Sequence, residues 1–169
     1  MIIPGSFQTV AEISIGFAGF SGLIVALRKD AGPLTDVQKY RLQVLLALSF
    51  GAMFLSLLPE TLANLDINDN GVWTYACAAM SAYSIVFLLW WIFASRRIVT
   101  LVPEIFHWSA FSRMAAGHAV NLLLQLGIVF SILDLRGEGI LSIGLIWYLI
   151  HAAQQFARML FIQPKKPSP

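Results

Sequence analysis

The chain reads as an all-α integral membrane protein, a bundle of five transmembrane helices. Three observations predict this. Only 12% of the residues are charged and 58% are hydrophobic, where a soluble domain carries about 25% charged residues. Five apolar runs, at about 7–27, 42–58, 72–94, 114–133 and 140–162, approach or exceed the roughly 20 residues that a helix needs to cross a bilayer. Most of the charged residues fall between those runs. The length of 169 residues fits one domain over 1–163. The tail, 164–169, is too polar and proline-rich to pack and is expected to be solvated. The net charge of +2 gives no argument for nucleic acid.

The first run has two unlike sides. At 100° per residue, Ile13, Phe17, Phe20, Ile24 and Leu27 gather on a bulky arc, while Gly16, Ala18, Gly19, Gly22 and Ala26 fall opposite, together with Glu12. Ser14, Ala18, Gly22 and Ala26 also recur at every fourth position. Small residues so spaced let helix backbones approach closely where lipid removes the hydrophobic drive. The small arc is therefore expected to pack against protein, with Glu12 on that packed side. No charged side chain precedes this run, and Arg28 and Lys29 follow it. That is the reverse of a cleavable signal peptide, so the segment is expected to be retained.

Between the first two runs, Gly32 and Pro33 break any helix, and Thr35 or Asp36 can cap the next. The second run is short, and Pro59 is expected to close it, so a re-entrant segment is an alternative to a full crossing. The third carries Trp73 and Tyr75 near one end and Trp90 and Trp91 near the other, which suits the two interfacial belts. Its small centre, ACAAMSA, is expected to pack tightly. The lone Cys77 lies inside it and reads as a buried structural thiol. In the following connector, Pro103 and Glu104 suit the first turn of a short interfacial helix bearing His107 and Arg113. An irregular connector with anchoring aromatics fits equally well.

Ten of the eleven Lys and Arg residues lie in 28–41, 95–113 and the C-terminal region from Arg158 on. With five crossings all three regions fall on one side, which the positive-inside rule makes cytoplasmic. The expected topology is N-terminus out and C-terminus in, in a bacterial inner membrane. A four-crossing arrangement would split the basic segments between the two sides.

With no soluble domain, chemistry must sit on intramembrane polar residues, which are costly and face protein or water. Glu12 is one candidate. His118, Asn121 and Gln125 form a stripe about 60° wide on the fourth run, and His151, Gln154, Gln155 and Arg158 one about 100° wide on the fifth. The two runs are antiparallel neighbours, so the stripes either hydrogen-bond to each other or line a cavity. Two histidines on adjacent helices raise the question of haem. Their depths, reckoned from the ends of the runs, differ by roughly 5 to 10 Å. That argues against a simple pair and leaves single ligation or pairing across chains. No carboxylate or cysteine joins them at zinc-ligand spacing, and no cofactor is expected.

The sequence contains no nucleophile elbow, HExxH, P-loop or dinucleotide fingerprint, which weighs against an enzyme. The expected function is a homo-oligomeric channel or pore, with cations as the permeant class if Glu12 residues ring its axis. A non-catalytic accessory subunit of a larger membrane complex is the alternative, and a haem-carrying electron-transfer protein the third.

Overall fold

A computed structural model describes residues 6–27, 33–65, 67–101 and 108–161. Among them are five α-helices and no strand: α1 (Ser6–Leu27), α2 (Asp36–Ala63), α3 (Asp69–Leu101), α4 (Trp108–Val129) and α5 (Gly137–Phe161). Four of these, α1, α2, α3 and α5, are long and apolar enough to cross a membrane. The interfacial helix expected at Pro103 and Glu104 and the solvated tail lie outside the described residues.

The start of α2 and the end of α4 have clear local causes. Thr35 caps α2 through a capping box: its Oγ1 accepts from the Gln38 amide at 3.3 Å, and its own amide donates to Gln38 Oε1 at 3.1 Å. Pro59 does not end α2. The helix runs on to Ala63, with Pro59 buried inside it. A proline lacks the amide that would pair with the carbonyl four residues back, and here that loss falls near the end of a 28-residue helix, where many turns already hold the axis. That length is ample for a crossing. α4 closes on Ser131, whose φ is +54°. The Ser131 and Ile132 amides donate back to Ile128 O and Gly127 O, a left-handed helix stop. The tight turn makes α4 and α5 antiparallel neighbours.

The core lies among α2, α3 and α5. Val44, Leu48, Ala52 and Leu55 form its stripe on α2, and Leu141, Leu145, Tyr148 and Ala152 the matching stripe on α5. Both repeat at three- and four-residue intervals, the spacing of one helix face. Cys77 is free and fully buried in this core. Gly51 lets the Tyr83 ring approach α2, and the Tyr83 hydroxyl donates to the Ala47 carbonyl.

α1 packs on the outside of this core, against α2 and α5. Its packed seam is Ala11, Ser14 and Ser21, all buried, with Phe7, Val10, Phe17 and Ala18 half-buried beside them. Phe17 meets the Phe156 ring at 5.8 Å. Small residues do face protein, but only some of those expected. Ser14 and Ala18 lie on the seam; Gly16, Gly19 and Gly22 meet nothing within 4 Å of a built Cβ, and Ala26 is exposed. The cause is periodicity: the seam advances by alternating steps of three and four, 7–11–14–18–21, and passes between the two arcs that hydropathy separates.

Candidate functional site

α4 and α5 carry the expected polar stripes, and the fold brings them face to face. Two glycines allow it. A Cβ on Gly117 would run into the Trp147 indole, and one on Gly144 would sit 2.5 Å from Asn121 Oδ1 and 2.7 Å from Gln125 Nε2. Each helix thus yields backbone space to a large or polar side chain of the other.

At the centre, His118 Nε2 lies 2.8 Å from His151 Nδ1, and neither ring is exposed to any degree. His151 Nε2 lies 3.0 Å from Gln155 Nε2. An amide nitrogen only donates, so with Gln155 in this orientation His151 Nε2 is the acceptor. His151 Nδ1–H then donates to His118 Nε2, and the remaining proton of His118 sits on Nδ1. Turning the Gln155 amide would reverse the whole chain. In both senses His118 Nδ1 has no hydrogen-bond partner among the described residues, and neither do Asn121 Nδ2 and Gln125 Oε1 on the next two turns. Buried polar atoms left unsatisfied cost about 1–3 kcal/mol each. Further along, Gln125 Nε2 donates to Asn121 Oδ1 at 3.3 Å and to the Ile140 carbonyl at 2.9 Å.

Aromatic rings wall in the pair. Phe87 lies 5.1 Å from His118 between centroids, Trp91 5.5 Å from His151 and Tyr148 5.7 Å from His118. Tyr148 also shares a 2.6 Å hydrogen bond with Ser84 of α3. On the side of Gln155, a cleft of about 70 Å³ runs from Arg41, Arg158 and Tyr40 down to His151. Arg41 is buried and donates from Nη1 to the Arg158 carbonyl at 3.0 Å, while Tyr40 and Ser95 share a 2.7 Å hydrogen bond.

The depth offset expected for the two histidines is overturned. It took α4 to begin at residue 114, whereas the helix begins at Trp108. His118 is then ten residues from that end, and His151 ten residues from the corresponding end at Phe161. Equal depth lets the rings meet. The 2.8 Å separation is that of a direct hydrogen bond; two bonds of about 2.0–2.1 Å to a shared tetrahedral metal would set the facing nitrogens about 3.3 Å apart. No group of three or more His, Cys, Asp or Glu converges among the described residues.

Glu12 does not join this site. It is exposed on α1, where its Oε1 accepts from Gln8 Nε2 at 2.9 Å. The placement of Glu12 on a protein-packed side is therefore corrected within the single chain. Gln154 is half-buried, with Oε1 unpartnered among the described residues. Sequence reasoning missed the contributors outside the two stripes, Tyr40, Arg41, Ser84, Phe87, Trp91 and Tyr148. The spacing of Ser84, Phe87 and Trp91, one face of α3, was the available signal.

No protein-family model, curated protein or solved structure matches this chain.

Proposed function

We propose that the protein is a small membrane conductor whose route lies inside one bundle and passes protons through His118 and His151. The observation that supports it best is the 2.8 Å contact between two fully buried imidazoles, continued by Gln155 to a cleft on one side, with Asn121 and Gln125 on the next two turns of α4 on the other but not hydrogen-bonded to His118. In this reading α4 is the fifth crossing, and the end bearing Arg41 and Arg158 is cytoplasmic. α4 is too polar to cross alone, yet its polar stripe faces α5 while Val120 and Leu123 are exposed outward, the arrangement that makes a polar helix tolerable in lipid.

The step balances. Once the Gln155 amide turns aside, a proton binds His151 Nε2. The His151 Nδ1 proton passes to His118 Nε2, and the His118 Nδ1 proton is released to a water molecule that must enter beside Asn121, since no described residue accepts it. One proton enters and one departs, two N–H bonds form and two break, and both rings must turn to reset. A hydrogen-bonded file of this kind needs no water-wide lumen. The guanidiniums of Arg41 and Arg158 at the mouth oppose hydrated cations, which favours a proton relay over a metal-cation pore.

The test is proton flux into vesicles containing purified protein, driven by a potassium diffusion potential and read with an internal pH dye. Parent protein should exceed protein-free vesicles, His151→Phe and Gln155→Leu should fall about tenfold, and Glu12→Gln should match the parent. Gln155→Leu keeps the histidine contact, so a circular dichroism spectrum equal to the parent's separates lost relay from lost fold. A parent rate equal to empty vesicles overturns the reading.

A second reading, a non-catalytic subunit or a homo-oligomer docked through α1, draws on one observation: Gly16, Gly19 and Gly22 face open space, leaving a flank on which another helix could lie closely. The mass of the detergent-purified particle, with any co-purifying chain identified, tests it. A lone monomer counts against both forms.

A further inference from the structure

We propose that the groove between the start of α2 and the end of α3 holds one anionic phospholipid. The groove encloses about 570 Å³ and is two-toned along its length. Lys39 of α2 and Arg97 of α3 line one end; Trp90 and Phe93 line the other. The hydrogen bond between Tyr40 and Ser95 fixes the register of the two helices and so sets Lys39 and Arg97 at one level. Phe93 and Trp90 are four and seven residues before Arg97, about 6 and 10 Å deeper. Gln43 is one turn deeper than Lys39 and offers an amide at the depth where ester carbonyls follow a phosphate.

The charge count sets the class of headgroup. Lys39 and Arg97 contribute two positive charges to the lining and Asp36 one negative. The Lys39–Asp36 approach of 3.8 Å is between two exposed side chains and leaves both free to rearrange. The net lining charge of one positive matches a headgroup with one net negative charge. A planar guanidinium fork suits phosphate oxygens. The exposed rings of Trp90 and Phe93 offer acyl chains an apolar wall at the level where amphipathic aromatics sit in a bilayer. A water-soluble anion would use the basic end and leave that wall unexplained. This inference is independent of proton conduction, since none of the residues proposed to meet the lipid, Lys39, Gln43, Trp90, Phe93 and Arg97, belongs to the histidine file or its cleft.

The experiment reconstitutes the protein in vesicles of equal phosphatidylglycerol and phosphatidylcholine, extracts it gently and reads retained lipid by native mass spectrometry. Parent protein should retain phosphatidylglycerol in preference to phosphatidylcholine. Each of Lys39→Gln and Arg97→Gln should reduce that preference about fivefold, as expected for one basic residue near an anionic surface. Arg136→Gln, at the other end of the bundle, should leave it unchanged. Equal retention of both lipids by the parent overturns the proposal, as does a preference that survives the double variant. Displacement of phosphatidylglycerol by inorganic phosphate alone would make the groove a free-anion site and would also overturn it.

Discussion

α1 and the α4–α5 seam draw on the same residue types, glycines beside polar side chains on apolar helices, and put them to opposite use. On α4 and α5, Gly117 and Gly144 are pressed by Trp147, Asn121 and Gln125, and the polar groups pair across the seam. On α1, Gly16, Gly19 and Gly22 have open space before them, and among the described residues Glu12 pairs only with Gln8 of its own helix. A small residue is a packing device only where something large fills the space it leaves. The rule that small residues mediate helix approach holds on α1 too, through Ala11, Ser14, Ala18 and Ser21. Both buried serines are satisfied by carbonyls of their own helix, at 2.7 and 2.8 Å, so the seam needs no polar partner across it.

The sharpest way to break this contrast is His151→Ala. It leaves His118 Nε2 without its partner in a site with no exposure and opens a hole among Phe87, Trp91 and Tyr148. The expected loss is about 2–5 kcal/mol, read by SDS-induced unfolding in mixed micelles. A loss under 1 kcal/mol would mean that the contact is not part of the folded bundle. Gly144→Ala comes next. Its added methyl meets Asn121 and Gln125 at 2.5 and 2.7 Å, and overpacking of that kind costs about 1–3 kcal/mol. The partner substitution on α1, Gly19→Ala, should have the opposite sign: with nothing in front of the methyl, the gain in helix propensity is up to about 1 kcal/mol. If both glycine variants move stability in the same direction, the distinction between the two regions fails.

Much of this was legible beforehand, and the errors share a cause. The stripes His118–Asn121–Gln125 and His151–Gln155–Arg158 could be read because polar residues on an apolar helix announce which face is inward. Their meeting could not, because the start of α4 is hidden: Trp108 to Arg113 reads as connector by hydropathy, and those turns set the depth of His118. Pro59 misled similarly, since a proline lowers helix stability without forcing a stop when neighbouring turns are held. On α1 both arcs are apolar, so hydropathy separates large from small but not lipid from protein. The choice is made by the surfaces of α2 and α5, which no local pattern encodes. The cleft residues Tyr40 and Arg41 lie among ordinary interfacial charges and aromatics, and only the approach of α5 to α2 distinguishes them.

The smallest expected effect is also the most discriminating. Glu12→Gln removes the one acidic residue well inside the first apolar run. Its side chain is exposed and its only described hydrogen bond is to Gln8. A glutamine keeps the carbonyl that accepts it, so unfolding free energy should move by no more than about 0.5 kcal/mol, and proton flux should not change. Were Glu12 instead on an axis between copies, the same substitution would relieve like-charge repulsion among neighbouring carboxylates. Particle mass or flux would then shift while the stability of the single bundle stayed fixed. Measuring all three on one preparation therefore decides between a route inside the bundle and a route between bundles.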